Sequence, residues 1–166
     1  YIEPVREYYL KCVSRHKSNP KIEVLNFAIG EENKEIEIFL GEALSTVLKS
    51  QVDFYKNSKF AKHLDFSSSE ICNQVRLEDI LVNKKISRGF DLLVVDTEGY
   101  EEQVFKSFDI SYWTPKVIIV ELPDENKHFK DFTEFVNTIA RLRSKILSVG
   151  YKEIYRDEVN TVFAHE

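Results

Sequence analysis

The chain has 166 residues, 43% of them hydrophobic and 31% charged, with twelve Phe and eight Tyr. That balance fits one soluble domain with a buried core and excludes a disordered chain. A formal net charge of −5 repels phosphate backbones, so nucleic acid is not an expected partner.

The first predicted element is a helix over Val5–His16, where Val5, Tyr8, Tyr9, Cys12, Val13 and His16 recur at helical spacing. Tyr1-Ile2-Glu3-Pro4 precedes it, an apolar stub followed by an acid and a proline at the helix entrance. Ile22–Gly30 is apolar and ends in glycine, so it reads as a strand. Glu35–Leu40 alternates, with Ile36, Ile38 and Leu40 on one face, as a half-buried antiparallel strand does. Residues 41–74 mix serines with Phe54, Tyr55, Phe60 and Phe66 and show no period. They read as a long loop with one or two short helical turns inside a single domain spanning 1–166. A short strand over Gln74–Leu77 and a short helix over Leu77–Val82 follow.

Phe90–Val95 is nearly all apolar, as expected of a strand covered on both faces. It runs into Asp96-Thr97-Glu98-Gly99-Tyr100-Glu101 and then a helical pattern at Val104, Phe105 and Phe108. Lys116–Leu122 is a second buried strand, bracketed by Pro115 and Pro123. A long amphipathic helix carries Phe129, Phe132, Phe135, Val136, Ile139, Leu142, Ile146 and Leu147 and stops at Gly150. Tyr151–Tyr155 and Thr161–Ala164 form a closing antiparallel hairpin. Strands alternating with helices predict an α/β fold with a mainly parallel sheet.

In such sheets ligands bind beyond the carboxyl ends of the strands, where Glu3, Asp96 with Glu98, and Glu121 all fall. Carboxylates there can accept hydrogen bonds, take a proton or hold a metal. Each acid also has a plainer reading. Asp96 can cap the following helix, Glu121 can open a polar loop, and Glu3 can be solvated surface. Gly99 implies a positive φ or a close approach. His16 is expected to be packed, and His63 is the one histidine placed to face a substrate. Cys12 and Cys72 are expected to be buried free thiols in a reducing compartment, consistent with a cytoplasmic protein. No apolar run reaches the length of a membrane span. No serine or cysteine nucleophile pattern and no phosphate-cradling loop is present.

The stretch FDLLVVDTEGYEEQVFKSF, Phe90–Phe108, resembles the signature of the FkbM methyltransferases, matching at Asp91, Asp96, Glu98, Gly99, Glu101 and Val104 and departing at Val94, where Lys or Ser is usual. The flanks resemble the family in order: Ile2-Glu3-Pro4, Asn26–Gly30, Ser45-Thr46, Val75–Leu81, Pro115–Glu121, Gly150-Tyr151 and Asn160–Phe163. The resemblance implies a Rossmann-like class I methyltransferase fold using S-adenosylmethionine. It implies that Glu3 and Pro4 meet the cofactor ribose, that Ala28 and Ile29 line the adenine, and that Asp96 sits near the methionine end. It implies methylation of a hydroxyl on a sugar, glycan or small molecule. Asp96 or Glu98 would act as the base, and Glu121, Ser45 and Tyr100 would contact the acceptor, with no residue assigned to a metal. Only two residues precede Glu3, so the family's first strand and glycine-rich loop are expected to be missing. The chain as given is then expected to bind the cofactor poorly or not at all. The sheet would close its gap by rearrangement or by pairing with another chain as a homo-oligomer. Two further expectations stay open. One is a non-catalytic binding or assembly module on the same fold. The other is a metal-dependent enzyme holding Mg²⁺ or Mn²⁺ between Asp96, Glu98 and Glu121.

Overall fold

The computed structural model describes residues 1–165. In chain order the elements are α1 (Arg6–His16), β1 (Ala28–Ile29), β2 (Lys34–Phe39), α2 (Lys49–Asn57), β3 (Ser69–Val75), α3 (Leu77–Asn83), β4 (Leu92–Val95), α4 (Glu101–Lys106), α5 (Ile110–Trp113), β5 (Val117–Glu121), α6 (Thr133–Ser148), β6 (Tyr151–Arg156) and β7 (Asn160–His165). The mixed α/β expectation holds. Strands form two separate sheets, ordered β1-β3-β2 and β4-β5-β7-β6. In the larger sheet β4, β5 and β6 run in one direction and β7 runs against them, and the expected closing antiparallel hairpin is β6–β7. Only β1–β3 and β4–β5 pair in parallel; β2–β3, β5–β7 and β6–β7 are antiparallel. The short turn between β6 and β7 returns the chain alongside itself and so makes that pair antiparallel.

Residues 41–74 are more ordered than their composition suggests. They contain α2 and most of β3, which pairs in register with β2 from Lys34↔Gln74 to Phe39↔Ser69. The expected strand over Ile22–Gly30 shrinks to Ala28–Ile29, with a single parallel bridge between Ile2 and Leu25. The expectation that the Phe90 strand is covered on both faces is also corrected. β4 lies at the edge of its sheet, and Leu92 and Val94 are 50% and 58% exposed.

The core sits between α6 and the four-stranded sheet. Phe135, Ile139, Leu142 and Ile146 of α6 are buried, as are Ile118, Val120 and Phe163 of the sheet and Val104 and Phe105 of α4. Burying an aliphatic or aromatic side chain of this kind contributes about 1.5–3 kcal/mol, so this one face fixes where α4, and the turn before it, must lie. Arg143 reinforces the packing by donating to Asp124 at 2.6 Å, Glu153 at 2.6 Å and Thr161 at 3.2 Å, tying α6 to the closing hairpin. His16 is half-buried rather than packed in the core, stacked on the exposed Tyr1 with ring centroids 5.0 Å apart. Cys12 and Cys72 are free thiols, but only half-buried rather than buried. Among the described residues no helix is long and apolar enough to cross a membrane.

Candidate active site

The site is built on the turn from β4 into α4. Val95 ends the strand buried, and Asp96, Thr97, Glu98 and Gly99 carry the chain to α4. Two backbone positions in this turn are left-handed, Glu98 at φ 54° and Gly99 at φ 97°. A glycine tolerates that conformation freely, whereas a glutamate does not and must be held there by its surroundings. Gly99 is also crowded, because a Cβ added to it would lie 3.2 Å from Gln51 Oε1.

Glu101 holds the turn from below. It is buried, and its Oε1 accepts from Thr97 N (2.9 Å), Thr97 Oγ1 (2.9 Å) and Gly99 N (3.3 Å). Burial raises its pKa, and these hydrogen bonds work against that rise. The third acid of the Asp-x-Glu-Gly-x-Glu pattern therefore serves as scaffold for the first two. The plainer reading of Asp96 as a helix cap is not what the structure shows. α4 starts at Glu101, after Tyr100, without a side-chain cap, and Asp96 is exposed.

Beside this turn lies a cleft of about 590 Å³ between the first strand stub and the open edge of β4. Glu3, Pro4, Ala28 and Ile29 line one side; Asp96, Glu98 and Tyr100 line the other, and Ser45 contributes from the segment before α2. Eight of the predicted site residues thus share one cavity. Two of them have their hydroxyls engaged already. Ser45 Oγ donates to Glu42 O at 2.7 Å, and Tyr100 Oη donates to Gln74 Oε1 at 3.1 Å. Glu3 accepts from Val5 N at 2.8 Å, and burial raises its pKa against that bond. His63 is exposed and does not line the cleft.

Glu121 does not line the cleft but meets the turn from behind. Carboxylate oxygens of Asp96, Glu98 and Glu121 all come within 4.8 Å of one another. Three negative charges at that spacing repel strongly where water is excluded. Burial first, and Asp96 and Glu101 after it, push Glu98 up to about 7, although the Tyr55 hydrogen bond pulls it down. Burial and the neighbouring acids push Glu121 up to about 9, where it keeps its proton and shares it with Asp96. The cluster thus settles its own repulsion by holding protons. The metal-dependent expectation rests on the spacing alone.

Sequence reasoning missed the residues that grip Glu98 from the other side. Tyr55 Oη donates to Glu98 Oε2 at 2.7 Å, and Thr46 Oγ1 donates to Glu98 O at 2.9 Å. Tyr55 and Thr46 are each 1% exposed. The available signal was Gln51 and Tyr55 four apart, which places both on one face of a helix.

The family described as "Methyltransferase FkbM domain" matches residues 1–153. The chain belongs to the FkbM methyltransferase family. No curated protein and no solved structure matches it. In this FkbM domain the Asp96–Glu101 segment, on which the resemblance centres, holds the buried Glu101 and the left-handed Glu98 and Gly99.

Proposed function

We propose that this FkbM domain methylates a hydroxyl of an uncharged sugar, glycan or small molecule, with S-adenosylmethionine as donor. The observation that carries this reading is the charge of the cleft. Among the described residues its lining includes Glu3, Glu42, Asp96 and Glu98 but no Lys, Arg or His. Such a cleft complements the sulfonium and ammonium charges of the cofactor, and Ile2, Phe27, Ala28 and Ile29 offer an apolar wall suited to the adenine. The same cleft offers nothing to pair with a phosphate or carboxylate on the acceptor.

When bound, the cofactor supplies an electrophilic methyl group on a positively charged sulfur. Glu3 and Pro4 would meet the ribose, and Ala28 and Ile29 the adenine; all four line the cleft. Glu98 accepts the hydroxyl proton, since a carboxyl poised at about 7 is well matched to general base work near neutrality. Asp96 orients the acceptor hydroxyl, and Glu121, behind the turn and holding its proton, donates to Asp96 and so helps to orient that carboxylate. Ser45 and Tyr100 shape the acceptor side by their surfaces rather than by free hydroxyls.

Methyl-labelled S-adenosylmethionine at high concentration, offered with a panel of neutral glycosides, sugar phosphates and uronic acids, tests the reading. Label is expected in neutral hydroxylated compounds. Label confined to the anionic ones, or absent from all of them, contradicts it. The non-catalytic assembly reading is favoured by one observation, the open edge of β4 with Leu92 and Val94 exposed, because an unpaired strand invites another.

A further inference from the structure

We propose that α2, with Thr46 just before it, is a positioning element that sets the orientation and proton affinity of Glu98. The inference rests on the reading of Glu98 as the base. Its support is geometric. Gln51 and Tyr55 project from one face of α2 onto the Glu98–Gly99 turn, and both are 1% exposed. Tyr55 is fixed before it reaches Glu98, its ring stacked on Phe66 at 5.8 Å and set edge-on to Phe60 at 6.0 Å. Its hydroxyl donates to one carboxylate oxygen of Glu98, and among the described residues no other hydrogen bond to that carboxylate is present. The second oxygen is left available to accept a proton.

Thr46 acts on the backbone. It is anchored to Phe39 by paired bonds, N to O at 2.8 and 3.1 Å, and its hydroxyl accepts from Leu48 N at 3.2 Å while donating to Glu98 O. That donation lands on a residue in the left-handed region, where a non-glycine conformation persists only if neighbours over-determine it. One polar contact from this segment therefore holds the Glu98 main chain and another holds its carboxylate.

Tyr55→Phe tests the proposal because it keeps the ring packing and removes only the hydroxyl. Following the Glu98 side-chain carbon by ¹³C NMR, the wild-type midpoint is expected at about 7. The variant midpoint should rise by about one unit, because a hydrogen bond to the ionised form has gone. The acid limb of the turnover profile should move with it, lowering turnover at pH 7 about fivefold with the KM for cofactor unchanged. Thr46→Val is the second variant and should broaden or shift the Glu98 resonance while the chain stays folded. A folded Tyr55→Phe protein whose Glu98 midpoint and turnover profile both match wild type overturns the proposal. If the midpoint moves and turnover does not, the positioning stands and Glu98 as base falls.

Discussion

Asp96→Asn should lower methyl transfer by up to about 10²-fold, the loss expected when a group that orients the reacting hydroxyl is changed. Glu98→Gln should cost more, about 10²–10⁴-fold, because it removes the base. Glutamine can still accept from Tyr55, so the turn keeps its shape, but it cannot take the acceptor's proton. Neither change should unfold the protein. Asp96 is exposed and caps no helix, and Gln at position 98 removes a charge from a crowded acidic cluster. The thermal midpoints should therefore stay near wild type or rise, while turnover collapses. A large loss of midpoint would show that these acids are structural and that the catalytic assignment is wrong.

Stability should fall as the pH rises from about 5 through neutrality. Glu98 is raised from 4.5 to about 7 by burial and neighbouring acids, and Glu121 to about 9 by the same causes. Between the unfolded and folded values the folded chain holds protons that the unfolded chain has lost, so raising the pH favours unfolding. The stabilisation is full below 4.5 and disappears as the pH passes each folded value. For Glu98 the difference corresponds to on the order of 3 kcal/mol. Glu121 adds to the decline up to about pH 9. Below 4.5 the sign reverses. Glu102 and Glu153 are lowered by their cationic partners, so their contribution is present above their unfolded values and is lost on acidification. The midpoint measured by differential scanning calorimetry should therefore peak near pH 5 and decline toward pH 9. Glu98→Gln should flatten the part of that decline between 5 and 7. A midpoint that climbs from pH 5 to 8 would mean that the cluster is ionised and compensated in some other way.

The legible parts of the fold were those whose signal is local. β5 is an apolar run between two prolines, α6 a sixteen-residue amphipathic stretch, and β6–β7 a pair flanking a polar turn. The segment before β4's companion helix was legible for the same reason, since an apolar run followed by clustered acids and glycine marks a strand end. The parts that were not legible depend on distant partners. β3 reads Ser-Glu-Ile-Cys-Asn-Gln-Val, with weak alternation, and becomes a strand because β2 is there to pair with it. α2 has too short a pattern to declare itself, and its purpose is visible only once Gln51 and Tyr55 are seen against Gly99 and Glu98. α5 is four residues long, too short to show a helical period, and its cap, Asp109 accepting from Ser111 N and Tyr112 N, is recognised only in the folded chain. β4 was read as covered on both faces because apolarity alone cannot distinguish a central strand from an edge.

At the site, the sequence identified the acids but not their division of labour. Asp96, Glu98 and Glu121 were all anticipated, yet nothing in their spacing says that Glu121 holds its proton or that Glu101 is the buried scaffold. Those properties come from burial and mutual approach, which only the folded chain supplies.

The most direct test of the central claim is an NMR titration of S-adenosylhomocysteine into this chain, following backbone amides. The cleft is open along the edge of β4, where Leu92 and Val94 are half solvated, so a ligand there is incompletely enclosed and binding should be weak. The account predicts fast-exchange shifts that grow with ligand and are concentrated at Glu3, Ala28, Ile29 and Asp96. Shifts absent from those four positions at high ligand concentration, or centred elsewhere, would contradict it and favour the assembly reading.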